Sequence, residues 1–190
     1  MSLHPKVKTQ NSRYVLATAD INWDHQNPYS TNYKDIYWSR DNPLQEKMHV
    51  FPNQHQLEKR GLNASHFTIA ETGFGFGNNF LLTADLWRAQ KHKGILHYIA
   101  FENSPVKIED LTRHYQSLNL ESSSWLLRNY PLPLQTSYTL WFGDTVRLSL
   151  IFDDAISALG NMTSPVDAWY LDGFSPSSNS DLWNKKLYGK

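Results

Sequence analysis

The 190 residues carry 18 basic and 18 acidic side chains, a formal net charge of zero, with 40% apolar and 14% aromatic residues. This composition suffices for one folded core and excludes a disordered chain, while the neutral balance argues against a strongly basic nucleic-acid-binding face. Cysteine is absent and the eight histidines are scattered, so disulfides, thiolate nucleophiles, iron–sulfur clusters and metal-ligand spacings are excluded from the reading, and no metal is expected.

No apolar run approaches the roughly 18 residues of a membrane span. The start, Met1 to Lys8, is mildly basic with no apolar segment behind it, so it is not read as a secretory signal. A cytoplasmic location is expected. Local basic spots (Lys6, Lys8 and Arg13; Lys91 and Lys93; Lys185 and Lys186) read as solvated surface.

In chain order, residues 1–65 lack strong periodicity and are expected to form an N-terminal extension packed on a sheet. Within them, residues 14–18 and 48–51 suit short strands, and residues 28–39 are dense in aromatics and turn formers. Regularity begins at Phe67. A strand is expected over 67–70, then a helix over about 79–91 with Phe80, Leu81, Ala84, Leu86 and Trp87 on one broad face. Residues 95–101 are nearly continuous in apolar character, as in a parallel strand covered on both faces, and end at Glu102. Ser104 suits an N-cap with Pro105 at the first helical position, opening a helix to about residue 118. Residues 122–129 suit another helix, stopped before Pro131. Strands at 138–142 and 146–152 flank Gly143-Asp144, a hairpin signal. A short helix at 155–159 and a strand at 166–171 follow, the latter ending at Asp172-Gly173-Phe174. Alternating strands and helices predict an α/β, doubly wound, mostly parallel sheet.

The densest chemical signal is residues 67–80, Phe-Thr-Ile-Ala-Glu-Thr-Gly-Phe-Gly-Phe-Gly-Asn-Asn-Phe. An apolar run ends in Glu71, and Gly73, Gly75 and Gly77 alternate before a helix begins. Such glycines let the main chain approach a ligand, and the helix start points unpaired N–H groups toward it. The dinucleotide spacing fails in both registers, because the sixth position is Asn78 from Gly73 and Phe80 from Gly75. Acid-x-Gly-x-Gly-x-Gly is instead similar to the first motif of S-adenosylmethionine-dependent methyltransferases. The alternative is a Gly-rich turn that binds nothing.

In such sheets ligands bind outside the carboxyl ends of the strands, where Glu71, Glu102, Asp154 and Asp172 are expected. Glu102 can accept both ribose hydroxyls, Asp154 the exocyclic amine of adenine, and Glu71 can hold the turn or the cofactor's ammonium. Each alone also reads as a solvated strand-end acid. Asp172 can orient an amine and take its proton, and Phe174 can stack on a flat base. The bland alternative makes Phe174 a core residue and Asp172 an N-cap.

Three segments carry a closer resemblance: Asp35-Ile36-Tyr37-Trp38-Ser39; residues 67–81; and Val166 through Asp172-Gly173-Phe174-Ser175-Pro176 to Asn179, Asp181 and Trp183. Together they resemble the N-terminal methyltransferase domain of the MnmC family, the tRNA 5-methylaminomethyl-2-thiouridine biosynthesis proteins. The resemblance implies a Rossmann-like class I methyltransferase over residues 66–190. It further implies S-adenosyl-L-methionine as cofactor, and methylation of the 5-aminomethyl group of a wobble 2-thiouridine in tRNA. It assigns Asp172 and Phe174 to catalysis, and Glu71, Gly73, Phe74, Gly75, Gly77, Asn79, Glu102 and Asp154 to the cofactor. Full-length members add an FAD-dependent oxidoreductase domain, expected as a separate domain or partner. Asp153-Asp154 stands where the family has Gly-Asp, and Gln54-His55-Gln56-Leu57 where it has Gly-Asn-x-Leu. A complete sheet of this type has seven strands, so the expectation is a partial domain with its C-terminal strands missing. Two other readings stay open: an inactive cofactor-binding or interaction remnant of the family, and a small-molecule amine methyltransferase.

Overall fold

The structure, a computed structural model, describes residues 14–38, 43–53, 55–90, 92–118, 120–175 and 177–179. Ser39, Gln54, Pro176, Asp181 and Trp183 lie outside the described residues, as do Lys6, Lys8, Arg13, Lys91, Lys185 and Lys186.

Three short strands, β1 (Ile21–Asp24), β2 (Asn27–Ser30) and β3 (Asp35–Ile36), form an antiparallel sheet in that order. Helix α1 (Pro43–Met48) runs into a π-helical turn at His49–Asn53, and α2 (Leu57–Arg60) follows. The main sheet is then built from β4 (His66–Thr72), β5 (Ile95–Phe101), β6 (Ser137–Phe142), β7 (Val146–Ile151) and β8 (Ala168–Tyr170). Its order is β6-β7-β5-β4-β8. Neighbours pair in parallel except for the antiparallel β6–β7 hairpin. The helices between these strands are α3 (Asn78–Ala89), α4 (Ile108–Gln116), α5 (Ser123–Asn129) and α6 (Ala155–Leu159).

Side chains alternate between the two faces of a strand, and the sheet uses both. Phe67 and Ile69 of β4, Leu96 and Tyr98 of β5 and Leu148 of β7 join Phe80, Leu81, Ala84 and Trp87 of α3 in the larger core. Ala70, Ile99 and Phe101 face the other way, against Ala155 of α6. Helices therefore cover both faces, as expected of a Rossmann-like methyltransferase fold. β4 lies between β5 and β8, so the chain leaves it toward one side and returns on the other. That reversal is where a ligand crevice opens beyond the strand ends.

Three local expectations are corrected. Residues 48–51 are helical rather than a strand: Met48 ends α1 and His49–Asn53 form the π-helical turn. A four-residue apolar run has too few residues to separate the two periods, and the wider turn accommodates Pro52, which has no N–H to donate. Residues 14–18 make one antiparallel bridge, Val15 with Leu134, and no ladder. The facing segment contains Pro131 and Pro133, which cannot donate to a ladder. Helix α4 begins at Ile108, with Lys107 as its N-cap. Ser104 does not cap it: the Pro105 carbonyl, which would begin a helical ladder there, accepts instead from Ala19 N–H at 3.0 Å, and the Ser104 N–H is held by Glu102 Oε1 at 2.8 Å.

The small N-terminal sheet rests on α4 and the glycine-rich turn. Trp23 donates from Nε1 to Asp110 Oδ1 at 2.7 Å, while the Arg113 guanidinium lies 4.4 Å over the Trp23 ring. Trp23, Tyr37 and Trp38 all present their rings edge-on to Phe76.

Candidate active site

The parallel arrangement puts Glu71, Glu102, Asp153-Asp154 and Asp172 at the same end of four strands. A cavity of about 240 Å³ opens there. It is lined by Gly73, Phe74, Gly75, Asn79, Glu102, Asp154, Asp172 and Phe174, eight of the ten residues singled out from sequence. The other two lie just behind it. Gly77 is the N-cap of α3, and Glu71 is buried at 1% exposure.

The glycine turn departs from β4 under tight constraint. Both Gly73 N–H and Phe74 N–H donate to the Phe101 carbonyl, at 3.0 and 3.1 Å, which folds the turn back over the end of β5. Gly73 has φ +96, and a Cβ on it would lie 2.7 Å from the Asp172 carbonyl oxygen. Glycine at 73 is therefore what lets the turn touch the Asp172 segment, and a side chain would force them apart. Gly77, at φ +77, is packed by Leu126 and Phe74, each 2.8 Å from where its Cβ would be. At Gly75 a Cβ would meet nothing nearer than Tyr37 at 3.8 Å, so this stretch of main chain borders open space.

Below the turn, α4 fixes the start of α3. His114 Nε2 and Asn78 Oδ1 are 2.9 Å apart, and Tyr115 donates its hydroxyl to the Phe76 carbonyl at 2.6 Å. Burial, then the Lys47 charge, push His114 down to about 3. It is therefore neutral at physiological pH and donates one N–H.

Two carboxylates are tied together through one amide. Asn79 Nδ2 donates to Glu71 Oε1 and to Asp172 Oδ2, both at 2.6 Å. Burial and then the Asp172 charge raise the Glu71 carboxyl to about 8. Glu71 is thus mostly protonated at neutral pH. Lys47 Nζ completes the chain, 2.5 Å from Asp172 Oδ2. Glu71 Oε2 and Asn79 Oδ1 are buried without a hydrogen bond. Such atoms are costly to leave unpaired, so they suit a site that takes a polar or cationic ligand.

On the β5 side, Glu102 is also buried, at 9% exposure. It accepts from Gly75 N–H through Oε2 and Ser104 N–H through Oε1, both at 2.8 Å. Burial raises its pKa, with those N–H groups pulling the other way. Each oxygen keeps a lone pair, so the two together can still receive a pair of hydroxyls. Asp154 is the N-cap of α6, accepting from Ser157 N–H at 2.9 Å, and it borders the cavity as well.

The far wall is aromatic. Phe174 stacks on Tyr33 with centroids 4.5 Å apart and meets Tyr37 edge-on at 5.0 Å. Asp35 Oδ2 accepts from Ser175 N–H at 3.0 Å, fastening the Asp172 turn to β3. Burial opposes ionisation of Asp35, yet the hydrogen bonds, led by that from Ser175, keep its pKa below the usual value. Sequence reasoning did not single out Lys47, Tyr33, Asn78, His114 or Tyr115. Each acts through contacts across the fold, and no local spacing marks them.

The comparisons with known proteins agree with the fold. A family model described as S-adenosyl-L-methionine-dependent methyltransferase matches residues 120–190. The tRNA 5-methylaminomethyl-2-thiouridine biosynthesis bifunctional protein MnmC of Pseudoalteromonas translucida (strain TAC 125) is 39% identical over 92% of this chain and 29% of its own length. The protein of the same name from Hahella chejuensis is 39% identical over 91% of the chain and 29% of its own. That from Legionella pneumophila (strain Lens) is 35% identical with the same two shares. The chain thus spans about three-tenths of the curated relatives it matches. Among solved structures, MnmC2 from Aquifex aeolicus superimposes with a TM-score of 0.70 over 90% of this chain and 55% of that one, at 19% identity. That likeness concerns the fold.

Proposed function

Because the chain belongs to the S-adenosyl-L-methionine-dependent methyltransferases related to MnmC, we propose that it methylates the 5-aminomethyl group of wobble 2-thiouridine in tRNA, giving 5-methylaminomethyl-2-thiouridine. One observation carries the reading: the glycine turn and the Asp172 turn abut so closely that a Cβ at Gly73 would strike the Asp172 carbonyl. A cofactor cradle and a candidate base thereby share one cavity.

The residues present fit the cofactor. Glu102 has two oxygens, each with capacity beyond its backbone bond, for the ribose hydroxyls. The main chain at Gly75 borders open space, with Gly73, Phe74 and Gly77 shaping the same turn. Asp154 borders the cavity where an exocyclic amine can donate to it. Asn79 Oδ1 offers an unpaired acceptor for an ammonium, and an arriving cation would draw the proton off Glu71 so that its carboxylate accepts beside it. S-adenosyl-L-methionine, when bound, supplies a methyl carbon on a sulfonium: the N–C bond forms, the S–C pair stays on sulfur as a thioether, and the amine loses a proton.

Asp172 is the acceptor for that proton. Its Oδ2 is held by Lys47 and Asn79, which fixes the carboxylate and leaves Oδ1 for the amine. Phe174 orients the base by ring contact. General-base assistance of this kind contributes roughly 100- to 10,000-fold. The FAD-dependent oxidoreductase of the family, as a separate domain or protein, would supply the primary amine, and the reaction would proceed in the cytoplasm.

Two measurements test the reading. Isothermal titration should give saturable binding of S-adenosyl-L-methionine. Labelled methyl groups should enter tRNA bearing 5-aminomethyl-2-thiouridine, with Asp172→Asn slowing transfer by about 100-fold or more while still binding cofactor. A silent titration would refute the cofactor site, and an undiminished Asp172→Asn rate would refute the base.

A further inference from the structure

Lys47 has no place in the transfer chemistry just described beyond holding Asp172, yet it is a charged group in a confined position. Its side chain is 14% exposed, its ammonium lies 2.5 Å from Asp172 Oδ2, and the Phe51 ring sits 5.8 Å from Nζ. A primary alkylamine resembles lysine, with a pKa near 10.4 in water, so a 5-aminomethyl group arrives mainly as an ammonium. An ammonium has no lone pair to attack with. A lone Asp172 carboxylate would bind that ammonium tightly and leave it unreactive.

Resting on the amine-methylation reading above, we propose that Lys47 keeps the bound amine neutral: by balancing Asp172 it removes the net negative charge that would retain an ammonium. The neutral amine then donates one N–H to Asp172 Oδ1 and keeps its lone pair free. Lys47 is thus a positioning and charge-setting residue that acts through Asp172.

The surrounding groups support this balance. Glu71 at the end of β4 is raised to about 8 by burial and then by Asp172, so it adds little negative charge at neutral pH. Tyr98 of β5 is raised well above its usual value by burial and by Glu71, and Tyr37 after β3 is raised by burial and Glu102. His114 of α4 is lowered by burial and by Lys47 itself. All three are neutral. On α1 the neighbouring Glu46 is exposed to solvent. Glu102 and the Asp153-Asp154 pair line the same cavity, but Glu102 is tied to Gly75 and Ser104 and Asp154 to Ser157.

Proton counting tests the inference without turnover. An anticodon stem-loop RNA carrying 5-aminomethyl-2-thiouridine is titrated calorimetrically into the protein with S-adenosylhomocysteine present, at pH 7.5, in two buffers of different ionisation enthalpy. The wild type should release about one proton per RNA bound, since the ammonium must deprotonate to enter. Lys47→Met should release almost none, and Lys47→Arg should restore the release. Lys47→Gln serves as a second neutral variant should Lys47→Met melt early. In turnover, the acid limb of kcat, which reports the bound complex, should move up by about one pH unit or more in Lys47→Met and return in Lys47→Arg.

Equal proton release by wild type and Lys47→Met, or a fall in kcat at every pH with no displaced limb, would overturn the inference while methyl transfer by the wild type stood. Absence of RNA binding or transfer by the wild type would instead remove the parent reading, and this one with it.

Discussion

The two sides of the cavity are built by opposite means. The sheet side is fixed by main chain: Gly73 and Phe74 share the Phe101 carbonyl, Gly75 is held by Glu102, and the acids sit where parallel strands stop. The N-terminal side is a wall of rings, Tyr33, Tyr37 and Phe174, in contact over 4.5–5.0 Å, with the hydrogen bond from Ser175 to Asp35 helping to fasten it. The first side has little freedom to move without breaking strand ends. The second can exchange one flat partner for another at small cost, because stacking is tolerant of the partner's identity. Under the proposed function, a cofactor that is always the same suits the first, and a base that must enter and leave suits the second.

The largest expected effect breaks the sheet side. Gly73→Ala puts a Cβ 2.7 Å from the Asp172 carbonyl at φ +96, so the two turns must separate. Labelled methyl transfer should fall by about a hundredfold, the scale of a 1 Å misplacement, and calorimetry should show weakened cofactor binding. Preserved binding would mean that the two turns are not mechanically coupled.

Next comes the pH dependence of the same side. The Glu71 carboxyl is raised from 4.5 to about 8 in the folded chain, so between those values the folded state holds a proton that the unfolded state has lost. Stability therefore falls as pH rises from 4.5 toward 8 and levels off above. Glu71→Gln, which still accepts from Asn79, should flatten that slope, with a gain on the order of 4 kcal/mol at pH 8. Thermal melts at pH 5, 6.5 and 8 read it, and parallel curves for the two proteins would rule it out.

The ring wall should behave differently. Phe174→Ala removes a stacking surface worth about 1–3 kcal/mol, so KM for tRNA should rise by about tenfold or more with cofactor affinity unchanged. Loss of cofactor binding in this variant would erase the contrast between the two sides. Smallest is Asp35→Asn, which weakens the bond from Ser175 by about 1 kcal/mol. It should lower thermal stability slightly and raise tRNA KM a few-fold, with no change in the cofactor titration.

The contrast also explains what could be read from the chain. Residues 67–80 encode a strand, a turn and a helix start within one short segment, so Glu71 and the three glycines are visible as a local pattern. Glu102 and Asp154 follow apolar runs and are legible by the same rule. Lys47 is not, because it reaches Asp172 across 125 residues of sequence. His114 looks like any helical histidine until α4 packs under Asn78. Residues 48–51 have the composition of a strand, and only burial of Phe51 against Tyr170 selects the helical turn. The Ser104-Pro105 pair is a sound helix-start signal that lost to a longer-range demand, the Ala19 N–H claiming the Pro105 carbonyl.

The Asp35–Ser175 bond joins residues 140 positions apart. During synthesis the ribosome delivers Asp35 and the tyrosine-bearing segment well before Ser175, so Tyr33 and Tyr37 have no Phe174 ring to pack against until the later segment emerges. The aromatic wall of the cavity therefore closes only after translation has passed residue 175.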